Sequence, residues 1–262
     1  MLIDSHCHLD FPELAGDESG VLARAKTAGV AGMLTIGTRL DQFERVRAIA
    51  ERHANIWCSV GVHPHEAKEE GQHTPDRLVE ATRHPKVVAI GETGLDFYYE
   101  HSPRDEQAES FRTHIAAARQ TGLPLIVHTR DADGETGNIL EEEHRNGSFT
   151  GVIHCFSSGP DVARRALDIG FYISISGIVT FKAAEALRTV VRDIPLERLL
   201  VETDSPYLAP VPKRGKTNEP AFVAHTAAKL AELKGVSVAE LEAATTDNFF
   251  RLFAKAERAK CA

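Results

Sequence analysis

Eight times along the chain a short β-branched or apolar run gives way to a longer amphipathic stretch, and this repetition constrains the fold more than any other feature. The runs are MLIDSHCH from Met1, AGMLTIGT from Ala31, NIWCSVGVHP from Asn55 and KVVAIGETG from Lys86. They continue with LPLIVHTR from Leu123, TGVIHCF from Thr150, FYISISG from Phe171 and LLVETDSP from Leu199. Between them lie stretches such as LDQFERVRAIAERH, where Leu40, Phe43, Val46 and Ile49 repeat at helical spacing. Strands that alternate with helices in this way build a parallel sheet. No GxGxxG follows the first run, which argues against an open dinucleotide-binding sheet. Eight units with no block left over predict an α/β fold, a closed (β/α)8 TIM barrel, as a single domain over residues 1–262. The last stretch reads as two closing helices, the first ended by Gly235 and the second opened by a capping box of Ser237 and Glu240.

Composition narrows the setting. No apolar run approaches the roughly 20 residues of a membrane span. The opening MLIDSHCHLD has neither a basic region nor a signal-peptide core, so a cytoplasmic enzyme without a membrane partner is expected. The cysteines Cys7, Cys58, Cys155 and Cys261 are far apart and read as free thiols. A formal charge of −8 disfavours a broad basic surface for duplex nucleic acid. It leaves room for an enzyme that engages one chain end through a few local cations.

The chemistry gathers at the ends of the strands. His6 and His8 close the first run, His63 the third, Glu92 the fourth, His128 the fifth, His154 the sixth and Asp204 the eighth. Barrel active sites form at the C-terminal ends of the strands, where these positions converge. Alternation along a strand puts His6 and His8 on one side and Cys7 on the other, so two imidazoles can share a cation. A carboxylate such as Glu92 can bridge two divalent ions, and Asp204, with Pro206 stopping the strand just beyond it, can bind a cation and accept a proton from water. Glu202 shares the parity of Asp204 but lies deeper, where it would either support a histidine ligand or form a salt bridge inside the barrel.

Together these segments resemble the TatD family of metal-dependent deoxyribonucleases, within the amidohydrolase-like metal barrels. IDSHCHLD, VGVHPHE, AIGETGLDFYY, PLIVHTRDA, GVIHCFSSG, VETDSPYLAP and RGKTNEP carry the resemblance in family order from Ile3 to Pro220. It implies a site for two divalent metal ions (Mg, Mn or Zn), with His6, His8 and Asp204 on one, His128 and His154 on the other, and Glu92 bridging. Asp204 and Glu92 are then the catalytic carboxylates, and the substrate is nucleic acid, single-stranded DNA ends above all. His63, Arg130 and Arg214 are expected at the substrate, with Lys213 and Lys216 near Arg214. Tyr98 and Tyr99, in the loop after the fourth run, could stack on a base but are expected rather to pack beneath their loop, and Asp96 and His101 have no role assigned. His53, His73, His84, His114, His144 and His225 read as surface residues. Amide, lactone or phosphotriester hydrolysis, or D-aminoacyl-tRNA deacylation, on the same centre are the rival chemistries; a non-catalytic barrel would be expected to have lost ligands.

Overall fold

The structure, a computed structural model, describes residues 1–71 and 73–257, so Cys261 lies outside the described residues. Eight strands pair in sequence order into one sheet: β1 (Leu2–Cys7), β2 (Val30–Thr35), β3 (Ile56–Val60), β4 (Val87–Asp96), β5 (Leu125–Arg130), β6 (Gly151–Ile153), β7 (Tyr172–Ile175) and β8 (Leu199–Val201). Every pairing is parallel. The seam between β8 and β1 closes just past the strand ends. Cys7 and Ser205 form a parallel bridge, His8 N–H donates to Ser205 O at 2.9 Å, and Asp204 N–H donates to His6 O at 2.9 Å. The fold is the (β/α)8 barrel that the repetition implies.

The helices are α1 (Pro12–Ala15), α2 (Glu18–Thr27), α3 (Phe43–Arg52), α4 (Ala67–Glu70), α5 (Pro75–Ala81), α6 (Arg104–Thr121), α7 (Asp133–Asn146), α8 (Pro160–Asp168), α9 (Glu185–Asp193), α10 (Val223–Lys234) and α11 (Val238–Leu252). The two closing helices appear where expected. Gly235 ends α10 at φ 67°, and the Ser237 hydroxyl accepts from Glu240 N–H to cap α11. No helix among the described residues is long and apolar enough to cross a membrane.

Two apolar layers hold the barrel. The larger one lies between sheet and helices, and includes Val46, Ile90, Phe111, Ile153 and Leu230. The smaller takes a side chain from every strand, among them Ile3, Leu34, Trp57, Val88, Ile126, Val152, Tyr172 and Leu200. One contribution per strand makes it the floor of the barrel interior. Phe249 and Leu252 of α11, with Phe253 just past its end, pack against this floor from below. Within β5 and directly after β6 and β8, the residue two places further on is polar: His128 after Ile126, His154 after Val152, Glu202 after Leu200. The interior thus changes from apolar to ionisable within about one strand repeat, roughly 6–7 Å.

Candidate metal centre

Six side chains meet above that floor. β1 delivers His6 and, just past its end, His8, while the Cys7 thiol between them turns to Leu34 O at 3.5 Å in the outer layer. Glu92 stands within β4, His128 within β5, and His154 directly after β6. Gly94 lets β4 run close to β5. Its φ is 136°, and a Cβ there would lie 2.0 Å from His128 O. β8 ends at Val201, earlier than the sequence suggests, and Asp204 follows it in a left-handed conformation at φ 55°. Such a conformation costs a non-glycine residue about 1–3 kcal/mol and persists where the surroundings impose it. Here Asp204 N–H is bonded to His6 O, and Asp4 accepts from Thr203 N–H (2.9 Å) and Thr203 Oγ1 (2.6 Å), tying the segment to β1.

The two oxygens of Glu92 divide the imidazoles. Oε1 faces His154 Nε2 at 2.7 Å, His128 Nδ1 at 3.2 Å and His63 Nε2 at 3.4 Å, whereas Oε2 faces His6 Nε2 at 3.2 Å. On the Oε2 side, Asp204 Oδ1 lies 3.4 Å from His8 Nε2 and 3.7 Å from His6 Nε2. On the Oε1 side, His128 Nδ1 and His154 Nε2 stand 3.3 Å apart, two ring nitrogens aimed at a common point. His6, His8 and Glu92 bring ligand atoms within 4.8 Å of one another, as do His63, Glu92 and His128. His6 Nδ1, His6 Nε2 and His8 Nδ1 are buried with no hydrogen-bond partner among the described residues. Buried polar atoms are nearly always satisfied, so this donor set fits divalent cations. Mixed imidazole and carboxylate donors suit Zn or Mn and tolerate Mg.

Further carboxylates stand behind the imidazoles. Asp96 Oδ2 accepts from His128 Nε2 at 3.2 Å and His65 Nε2 at 2.9 Å, which leaves His128 Nδ1 turned towards Glu92. Glu202 Oε1 lies 3.3 Å from His154 Nδ1 and accepts from Cys155 N–H at 2.7 Å, so its partner is a histidine rather than a barrel lysine or arginine. A set of His6, His154 and Glu202 also has ligand atoms within 4.8 Å. Glu202, however, meets the ring nitrogen of His154 that points away from Glu92, and so orients that ring from behind.

The electrostatics follow from these contacts. Burial pushes the Glu92 carboxyl up, but His154, His63 and His6 together bring it well below the usual range. Burial acts likewise on Asp204, and the His8 hydrogen bond with the His6 and His154 rings brings it down. For His154 burial lowers the pKa, yet Glu92 and Glu202 carry it well above the ordinary value. His128 is raised in the same way by Asp96 and Glu92 against burial. His63 goes the other way: burial outweighs Glu92 and takes it down to about 4. The centre therefore sets ionised carboxylates among buried and half-buried imidazoles.

The structure also places the residues expected at substrate. His63 lies beyond β3, not at its end, where it opens a 3-10 turn and accepts from His65 N–H through Nδ1. Arg130 is exposed, with its guanidinium 4.1 Å over Tyr98 and 4.8 Å over Tyr99. Arg214 is exposed on the loop after β8, 3.9 Å over the Phe181 ring. Two expectations are corrected. Tyr98 and Tyr99 do not pack beneath their loop but are 57% and 50% exposed, because their N–H groups both bond to Asp96 and turn the chain outward. His73 and His114 are not surface residues but are 9% and 0% exposed, packed between the loop after β3 and α6. Asp96 and His65 carry positions that residue-by-residue reading left unassigned.

Known proteins resemble the chain along nearly its whole length. The model of the TatD related DNase family matches residues 3–254. The uncharacterized metal-dependent hydrolase YcfH of Escherichia coli K12 is 48% identical over 255 residues, covering 96% of this chain and 95% of the relative. The 3′-5′ ssDNA/RNA exonuclease TatD of Enterobacter lignolyticus is 38% identical over 259 residues, covering 96% and 98%. Among solved structures, the TatD homologue YJJV of Escherichia coli superposes with a TM-score of 0.90 at 32% identity, covering 97% of this chain and 98% of that one.

Proposed function

The chain belongs to the TatD related DNase family and is a metal-dependent hydrolase, and from that premise we propose that it hydrolyses phosphodiester bonds at the ends of single-stranded DNA. The observation that carries the reading is the division of imidazoles by Glu92: His6, His8 and Asp204 would hold one divalent ion, His128 and His154 a second, and Glu92 would touch both. When bound, the ions would supply Lewis-acid polarisation of the phosphate and a lowered pKa for water. Asp204, held ionised by the histidines around it, is the group that accepts the proton of the attacking water. His63 stays neutral near pH 7 and is part-exposed beside Glu92, so it donates a hydrogen bond to a phosphate oxygen rather than a full proton. Arg130 at the end of β5 and Arg214 on the loop after β8 steady flanking phosphates.

The acidic balance of the chain favours grip on an end over extended duplex contact. The relative from Enterobacter is named for 3′-to-5′ action, and the same polarity is proposed here. The test uses protein stripped with chelator and reloaded with Mg, Mn or Zn in turn. It is offered 5′- and 3′-labelled single strands, bis-(p-nitrophenyl) phosphate, dihydroorotate and a lactone. Stepwise shortening from the 3′ end, abolished by chelation, is the expected result. Turnover of dihydroorotate or the lactone alone would put the chain with the amide and lactone hydrolases instead.

A further inference from the structure

We propose that Tyr98, Tyr99 and Arg130 form a stacking subsite for an unpaired nucleobase beside the reacting phosphate, a proposal that rests on the phosphodiester reading above. Of the large apolar side chains left exposed, Tyr98, Tyr99 and Tyr207 all lie on loops at the mouth of the barrel. Tyr98 and Tyr99 are adjacent, their rings 4.8 Å apart and at 90°, and Tyr99 is backed by the parallel ring of His101 at 5.6 Å, so together they present ring surface in two orientations. Arg130 lies over both, which adds a cation to the aromatic surface.

This platform is continuous with the metal centre. The Tyr99 ring meets His65 edge-on at 5.4 Å, and His65 lies 4.4 Å from His63 and 6.4 Å from His128. It is also rigidly indexed to that centre. Asp96 Oδ1 accepts from Tyr98 N–H at 3.0 Å and Tyr99 N–H at 2.9 Å, while Asp96 Oδ2 accepts from His128 Nε2. One carboxylate thus sets both the angle of a metal-facing imidazole and the backbone that carries the tyrosines. Every nucleobase has a π-face, so such a surface holds bases with little sequence preference. A base inside a duplex already spends its faces on its neighbours and cannot lie on it. The subsite therefore selects single strands.

The test compares two single-stranded oligonucleotides, alike except that one carries abasic residues at its 3′ terminus. For the metal-loaded wild type, kcat/KM is expected to be at least about tenfold higher on the strand that keeps its bases. In the double variant Tyr98→Ala, Tyr99→Ala this ratio should fall to near one, while Tyr98→Phe, Tyr99→Phe keeps it. Neither pair of substitutions alters the backbone bonds to Asp96, and metal content with near-UV circular dichroism reports the fold. A ratio near one in the wild type, which needs no variant, overturns the subsite, as does a ratio that survives the alanine pair. If the wild type cleaves neither strand, the phosphodiester reading itself falls. Cleavage of both at equal rate removes only the stacking subsite.

Discussion

Two groups of buried histidines stand in this barrel, and burial alone does not distinguish them. His6, His8, His128 and His154 line the mouth, and His73 and His114 lie on its flank between α6 and the loop after β3. Removal from water lowers the pKa of every one of them. At the mouth carboxylates answer: Glu92 and Glu202 raise His154, and Asp96 raises His128. On the flank, among the described residues, no carboxylate hydrogen-bonds His114. It donates through Nδ1 to Ser110 O at 2.7 Å and accepts at Nε2 from Val62 N–H at 2.9 Å. A cavity of about 290 Å³ beside His73, walled by Lys68, Glu109 and Thr113, opens on that flank and not at the mouth. The partner, and neither the residue type nor its burial, separates an imidazole of the candidate metal centre from a structural one.

The sharpest way to break that contrast is to neutralise the carboxylate that divides the mouth. Glu92→Gln keeps the size of the side chain and removes the charge that faces His6, His63, His128 and His154. It is expected to lower kcat/KM on single-stranded DNA well beyond the roughly 100-fold that loss of an outer partner costs, with metal content falling in parallel. His114→Gln should change kcat/KM only a few-fold and leave metal content unchanged. Equal losses in the two variants, read by steady-state kinetics and elemental analysis, would erase the distinction.

A second, smaller effect sharpens it. Asp96→Asn leaves an acceptor for Tyr98 and Tyr99 N–H but withdraws the charge from His128 and His65. Outer partners of metal-bound histidines are typically worth 10–100-fold in metal affinity or activity, and a loss within about that range is expected, with the far-ultraviolet spectrum unchanged. Metal titration by calorimetry gives the answer directly, and unaltered affinity together with unaltered kcat would remove Asp96 from the centre.

How much of this was legible in the sequence varies from residue to residue for physical reasons. LPLIVHTR announces β5 and puts His128 on the inward side through alternation alone, and the capping box at Ser237 is equally local. The convergence of far-separated strand ends follows once eight units close on themselves. Asp96 escaped because GETG reads as the start of a glycine loop. In the structure β4 runs on through both glycines to Asp96, which shares its parity with Glu92 and Gly94. His114 escaped although its position repeats with Gln107, Phe111 and Ala118 along the buried face of α6, a spacing that the polar identity of the residue hides. The left-handed turn at Asp204 depends on a hydrogen bond to the distant His6, which no local pattern encodes, whereas the outward tyrosines follow from bonds to Asp96 only two and three residues back.

The smallest expected effect is a pH dependence that belongs to the flank alone. The bonding of His114 requires a neutral ring, protonated at Nδ1 and bare at Nε2, since a second N–H would confront Val62 N–H. Burial, aided by the neighbouring His73, takes its pKa down to about 3, against about 6.5 for an unperturbed histidine. Between those values the unfolded chain binds more protons than the folded one, so this residue's contribution is complete above about pH 6.5 and is lost as pH falls towards 3. The slope within the window is about 1.4 kcal/mol per pH unit at most. His114→Gln abolishes the titration while its side-chain oxygen can still accept from Val62. Urea unfolding of chelated wild type and variant at stepped pH should show the stability difference moving against the wild type by roughly 1 kcal/mol per unit as the solution is acidified. Other acid-sensitive groups, Glu92 and Asp204 among them, are common to both proteins and cancel in that difference. Parallel curves would mean that His114 is already protonated in the fold, with Glu109 beside His73 as the available counter-charge.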